Sequence, residues 1–248
     1  MKTDYLDIND EIRLAYQKLD GNGPTVVFLA GHGSDMFGSK AEALACYCEK
    51  TGQAFVRFDY QGHGLSSGDM MDGTISAWTQ DALAIVDMLT TGPILLVGSS
   101  LGGWIMLAVA KARASRVMGC IGIAAAPDFT ERLIWQSLRP DQQEEMAATG
   151  QIALPNPYAD EDVIYPYQLI TDGRQNLLLD KELPIMCPVI LHQGMADHEV
   201  PWQTACDIAQ AVSSPDVTIH LRKDSGHRFS SESEIAQIID SVKIMLNQ

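Results

Sequence analysis

The chain has 248 residues, 46% apolar and 20% charged, the balance of an ordinary globular protein large enough for one α/β domain. Its 32 acidic against 17 basic side chains leave a formal net charge of −15. No run of Lys or Arg offsets it, which argues against nucleic acid or an anionic membrane as partner.

The chain opens "MKTDYLDINDEIRLAYQK", with early acids and no apolar core of a signal peptide, so a cytoplasmic protein is expected. No apolar stretch approaches the roughly 18 residues that cross a bilayer, so no stable membrane insertion is expected. "YLDI" and "IRLAYQKL" predict strands around the turn residues Asn9 and Asp10, and "DGNGP" predicts a turn before the buried strand "TVVFLAG". "SKAEALACYCEKTG" has helical spacing and closes at Gly52. Its Cys46 and Cys48 are two apart on a helix and point in different directions. The five cysteines form no metal clip or disulfide framework and are expected to be reduced. "AFVRFDY" is the next strand, "TISAWTQDALAIVDMLTTG" a helix closed by a glycine, "PILLVGS" a strand, "GGWIMLAVAKAR" a helix and "VMGCIGIAA" a strand.

The rhythm then breaks. Residues 128–182 hold prolines, acids and short helical pieces, "TERLIWQSL" and "PDQQEEMAATG", and are expected to form an inserted cap rather than a domain with its own core. Within it, Phe129, Leu133, Ile134, Trp135 and Leu138 fall at helical spacing, and Trp135 and Leu138 are candidates for lining a substrate pocket. Alternation resumes with "PVILHQG" (strand), "QTACDIAQAV" (helix), "DVTIHLR" (strand) and "ESEIAQIIDSVKIML" (helix). The whole predicts one domain, 1–248, with a mostly parallel sheet of about eight strands covered by helices on both faces.

"LLVGSSLGG" places two serines where a strand runs into a helix. A nucleophile on such a sharp turn needs glycine two residues before and two after, because any side chain there would collide. Ser100 has Gly98 and Gly102 at those offsets, whereas Ser99 has Val97 and Leu101. Ser66 also lies between glycines, Gly64 and Gly68, but a turn-rich segment follows it instead of a helix. A supporting role near the site suits it better.

A serine hydroxyl needs a base, and the base an orienting acid. His227, in "KDSGHRF" after the last strand, is the candidate base. His32 and His63 precede the serine, His192 and His220 lie in strands, and His198 follows an aspartate on the neighbouring loop. That aspartate, Asp197 in "HQGMADHEVP", is the candidate acid; Asp128 is the rival, and Glu199 suits a supporting ion pair. Two backbone N–H groups should face the developing oxyanion, one from Leu101 and one from His32 in "GHGSD". No metal-ligand spacing and no phosphate loop appears.

With "VRFDYQGHGLSSG", "GSSLGGWIML", "HQGMADHEVPWQT" and "LRKDSGHR" in place, the chain resembles the α/β-hydrolase superfamily, and within it the acyl-protein thioesterase and acyl-glucuronide esterase branch. The resemblance implies the α/β-hydrolase fold and Ser100, Asp197 and His227 as nucleophile, acid and base. Leu101 and His32 become the oxyanion donors, and no cofactor or metal is implied. It departs at Gly226, where relatives tend to carry an aspartate, and at His32, where an aromatic is usual. The implied activity is hydrolysis of carboxylic esters or thioesters of a small-molecule or acylated substrate. Lactone or C–C bond hydrolysis and a non-catalytic ligand-binding role on the same fold are the alternatives. The sequence leaves the oligomeric state open.

Overall fold

The computed structural model describes residues 1–156 and 160–247. In chain order its elements are β1 (Asp4–Asp7), β2 (Arg13–Leu19), β3 (Asn22–Leu29), α1 (Ser39–Thr51), β4 (Gln53–Phe58), α2 (Ile75–Leu89), β5 (Ile94–Ser99), α3 (Leu101–Ala112), β6 (Val117–Ile123), α4 (Pro140–Thr149), β7 (Gln151–Leu154), β8 (Val163–Pro166), α5 (Tyr167–Gln175), β9 (Val189–Gly194), α6 (Gln203–Ala211), β10 (Val217–Arg222) and α7 (Glu232–Leu246). Eight strands form one sheet in the order β1-β2-β4-β3-β5-β6-β9-β10. β1, β2 and β4 pair antiparallel, and every neighbour from β4 to β10 is parallel.

The central strand shows why. β5 reads Ile-Leu-Leu-Val-Gly-Ser and is buried along its whole length, as a strand covered on both faces must be. Each of its Leu and Val side chains contributes about 1.5–3 kcal/mol by burial. Helices supply the cover, α1 packing beside α7 and α2 beside α3. On α1 the buried residues are Ala41, Leu44, Ala45 and Cys48, one stripe at 3.6-residue spacing, and the helix ends on Gly52 at φ 67°. α2 does not close on a glycine. It ends at Thr90, whose hydroxyl donates to the Val86 carbonyl at 2.7 Å, and the positive-φ glycine, Gly92, follows two residues later.

The segment between β6 and β9 is more regular than its sequence suggested. A wide π turn, Thr130–Ile134, runs into a 3₁₀ turn, Trp135–Ser137, and then α4. β7 and β8 follow as an antiparallel pair separate from the main sheet, and α5 completes the insert. Neither the pair nor α5 was expected. Parallel strands send their C-terminal ends to one edge, which is where loops gather functional groups, and the insert packs over that edge.

Candidate active site

Ser100 sits between β5 and α3 with φ 54° and ψ −118°, a conformation that only a tightly held turn keeps for a residue with a side chain. Its N–H donates to Ile123 (3.0 Å), and its carbonyl accepts from Gly103 (2.8 Å) and Ala126 (3.0 Å). The flanking glycines are obligatory. A Cβ on Gly98 would strike the Gly102 carbonyl, and one on Gly102 the carbonyls of Leu29 and Ala30. Gly31 lies against Ser100 from the other side, so the loop after β3 passes close to the hydroxyl.

His227 hangs in the loop after β10, its Nε2 3.0 Å from Ser100 Oγ and its Nδ1 2.8 Å from Asp197 Oδ2. With Nδ1 donating to the carboxylate, Nε2 is left to accept from the serine, a tautomer assigned from the network. Asp197, in the loop after β9, is locked from every side. Its Oδ1 accepts from the Glu199 and Val200 N–H groups (both 2.9 Å), and its Oδ2 also accepts from Gln193 Nε2 (2.9 Å). Burial pushes the Asp197 carboxyl up, but the His227 hydrogen bond and charge and the two backbone donors outweigh it and hold it below the usual carboxylate range. Gly194 lets the two loops meet, because a Cβ there would strike the Ser225 carbonyl. Glu199 Oε2 lies 3.9 Å from His227 Nε2.

Leu101 opens α3, so its N–H has no carbonyl four residues back within the helix. The His32 N–H likewise donates to no acceptor among the described residues. The loop that carries His32 is fixed one residue on, where Gly33 N–H donates to His63 Nε2 at 3.1 Å. The His32 ring stacks on Tyr165 from β8 at 5.6 Å and meets the edge of Trp78 at 5.6 Å. Burial, with the His63 imidazole adding to it, pushes the His32 pKa down to about 3, so its ring is neutral at physiological pH. A cavity of about 570 Å³ opens over Ser100, lined by Phe129, Leu133, Ile134, Leu154 and Val163 of the insert and by Lys40, Glu199 and Arg228.

A sheet of this order, a serine on the strained turn after β5, and an acid and a histidine in the loops after β9 and β10 form a recognisable whole. A profile of the alpha/beta hydrolase family matches residues 26–240. The chain belongs to the alpha/beta hydrolase family. Among curated proteins it is 39% identical to the palmitoyl-protein thioesterase ABHD10, mitochondrial, of Rattus norvegicus, over 95% of this chain and 79% of that one. It is 38% identical to the Homo sapiens protein of the same name, over 98% and 80%. The solved structure of alpha/beta hydrolase domain-containing protein 10 from mouse superposes with a TM-score of 0.94 at 37% identity, covering 100% of this chain and 99% of that one.

Other expected site residues lie elsewhere in this alpha/beta hydrolase. Trp135 and Leu138 do not line the cavity. Trp135 packs on Tyr167 (5.7 Å between ring centroids) and under the Arg174 guanidinium (4.5 Å), and Leu138 is buried in the core. The π turn and then the 3₁₀ turn rotate the chain away from a 3.6-residue register, so Phe129, Leu133 and Ile134 face the cavity instead. Asp128 is buried and accepts from the Leu178 (2.8 Å) and Leu179 (2.9 Å) N–H groups, tying both ends of the insert together. Ser66 does not reach the cavity. It donates to the Asp59 carbonyl (2.6 Å) and accepts from Ala15 N–H (2.8 Å), which fastens its loop to β2.

The sequence pointed to His63 only as a histidine out of order for a base. Its "GHG" setting was the available signal for a loop-holding role. Lys40, Arg228 and Tyr165 carried no local signal at all. No group of His, Cys, Asp or Glu among the described residues could hold a metal ion. No helix among them is long and apolar enough to cross a membrane.

Proposed function

We propose that this chain is a serine hydrolase that cleaves carboxylic ester or thioester bonds of acylated substrates through an acyl-enzyme. Ser100 Oγ attacks the acyl carbon while His227 Nε2 takes its proton, and Asp197 holds the resulting imidazolium. The tetrahedral oxyanion accepts from the Leu101 and His32 N–H groups. Collapse breaks the bond to the leaving oxygen or sulfur, which takes the proton from His227. Water, deprotonated by the same imidazole, then attacks the acyl-enzyme, and the carboxylic acid leaves with Ser100 restored.

The observation that carries this reading is the unbroken relay from Ser100 to His227 (3.0 Å) to Asp197 (2.8 Å) at the floor of the cavity. The insert is read as a cap on a single domain, its apolar wall receiving the acyl chain. The names of the curated relatives support a thioester substrate with a long acyl group. A panel of oxyesters and thioesters graded in chain length, run beside fluorophosphonate labelling, tests it. Turnover with labelling at Ser100 is expected; labelling without turnover of any ester or thioester would overturn the substrate class, and absence of both the enzyme reading. A cytoplasmic address is proposed from the five free cysteines. The similar curated proteins are named mitochondrial, and cell fractionation of the tagged chain decides between the two compartments.

A further inference from the structure

In a chain of net charge −15, two cations line the catalytic cavity, Lys40 from the first turn of α1 and Arg228 beside His227. The half-buried Lys40 ammonium donates to the Arg228 carbonyl at 2.6 Å. An ammonium has three donors, and no second acceptor among the described residues takes one from Lys40. Glu234 attracts it, but that carboxylate accepts from the Ser231 N–H at 2.7 Å.

The placement is electrostatically unfavourable in the free protein. Burial lowers the Lys40 pKa to about 8, with Glu234 raising it and the like charge of Arg228 lowering it again. A lysine in the first turn also opposes the helix dipole; α1 has no side-chain cap, and the acid of that turn, Glu42, is drawn to Arg57 at 2.8 Å. Such a conflict is relieved when an anion binds between the cations. The side of the cavity is set by chemistry. His227 must protonate the departing oxygen or sulfur, so the leaving group lies beside His227, next to Arg228 in the chain and to the Lys40 ammonium on the Arg228 carbonyl.

We infer that Lys40 and Arg228 form an anion subsite for the leaving group, so that preferred substrates are esters or thioesters whose alcohol or thiol carries a carboxylate or a phosphate. The inference rests on the hydrolase reading for its chemistry. Glu199 is the lining carboxylate that opposes it, one against two cations among the described lining residues.

Three butanoyl thioesters test it: those of 3-mercaptopropionate, 2-mercaptoethyl phosphate and the neutral 3-mercaptopropionamide. The parent should favour at least one anionic thioester over the amide by roughly tenfold in kcat/KM, chiefly through KM. Which anion is favoured identifies carboxylate, phosphate or both. K40Q and R228Q should bring that ratio toward one, and K40R should keep it. If Lys40 only braces the Arg228 carbonyl, K40Q lowers all three substrates in proportion and the ratio stays, which overturns the subsite. Binding of the non-hydrolysable thioethers 3-(butylthio)propanoate, 2-(butylthio)ethyl phosphate and 3-(butylthio)propanamide, read by calorimetry, separates the two ideas. If none of the three thioesters is turned over and Ser100 takes no fluorophosphonate, the hydrolase reading is at fault, while tighter binding of an anionic thioether that K40Q abolishes still supports the subsite. Equal binding of all three overturns it.

Discussion

His227 Nε2 lies 3.0 Å from Ser100 Oγ although the two residues are 127 positions apart. The distance is set by the sheet rather than by anything local to either residue. β5, β6, β9 and β10 run parallel as neighbours, so the turn after β5 and the loops after β9 and β10 leave from one edge. The approach of the Ser225 carbonyl to Gly194 then draws the histidine loop against the aspartate loop.

Ser100→Ala should abolish fluorophosphonate labelling and reduce turnover by about 10⁴ or more, since no other hydroxyl among the described residues is aligned on His227. Ser99→Ala should still label. Ser66→Ala should label too, yet lose stability by roughly 1–3 kcal/mol, because the buried groups it joins, Asp59 O and Ala15 N–H, lose their partner. Probe labelling and melting curves on the three variants decide. Loss of labelling in Ser66→Ala with retention in Ser100→Ala would place the nucleophile in the other loop.

Asp197→Asn should keep the fold and cut kcat by roughly 10³–10⁴, because the amide cannot orient and stabilise the imidazolium. Asp128→Asn should do the reverse. It weakens two backbone hydrogen bonds that hold the insert closed, so melting temperature falls while labelling of Ser100 persists. Circular dichroism melts beside steady-state kinetics separate the two aspartates. A catalytic collapse confined to Asp128→Asn would reverse the assignment.

Asp81 gives a stability signature in pH. It is buried on α2, where desolvation raises its pKa to about 6 against the hydrogen bonds it accepts from Gln61 N–H (2.8 Å) and Nε2 (3.1 Å). The folded state therefore holds a proton that the unfolded state has released between about pH 4 and 6. Protonated Asp81 carries no penalty below that window, and stability declines as pH rises through it, by about 2–3 kcal/mol in all. Asp81→Asn removes the decline. Its melting temperature relative to the parent should thus increase by roughly 5 °C from pH 4 to pH 7. A difference that stays constant over that range would mean the carboxyl titrates normally.

Most of the fold and the serine turn were legible because both leave local marks. β5 is an unbroken apolar run, and Gly98 and Gly102 stand where side chains would collide with the backbone. His227 and Asp197 were legible through their order after strands. The β7–β8 pair was not, since "QIAL" and "VIYP" are four residues each and their pairing is a contact between segments. Lys40 carried no mark because its place in the cavity depends on how α1 packs against the histidine loop. Trp135 and Leu138 misled for a different reason. A uniform helical period does not hold across this segment, whose turns are first wider and then tighter than an α-helix.

That rotation of the insert yields the last prediction. Leu133 faces the cavity, whereas Trp135, two residues on, is clamped between Tyr167 and Arg174. Shortening Leu133 to Ala removes apolar surface that a long acyl chain would bury and a two-carbon chain would never touch. Leu133→Ala should therefore reduce kcat/KM for long-chain esters roughly tenfold more than for acetyl esters, the scale of losing a few methylene contacts in an apolar pocket. Trp135→Ala loses an aromatic contact and the Arg174 stacking, so it should lower the melting temperature and leave the long-to-short ratio where it was. The check is kcat/KM for acetyl, octanoyl and palmitoyl esters of one leaving group, measured on parent and both variants. If Trp135→Ala shifts the ratio and Leu133→Ala does not, the acyl wall is the face of the insert that carries the tryptophan.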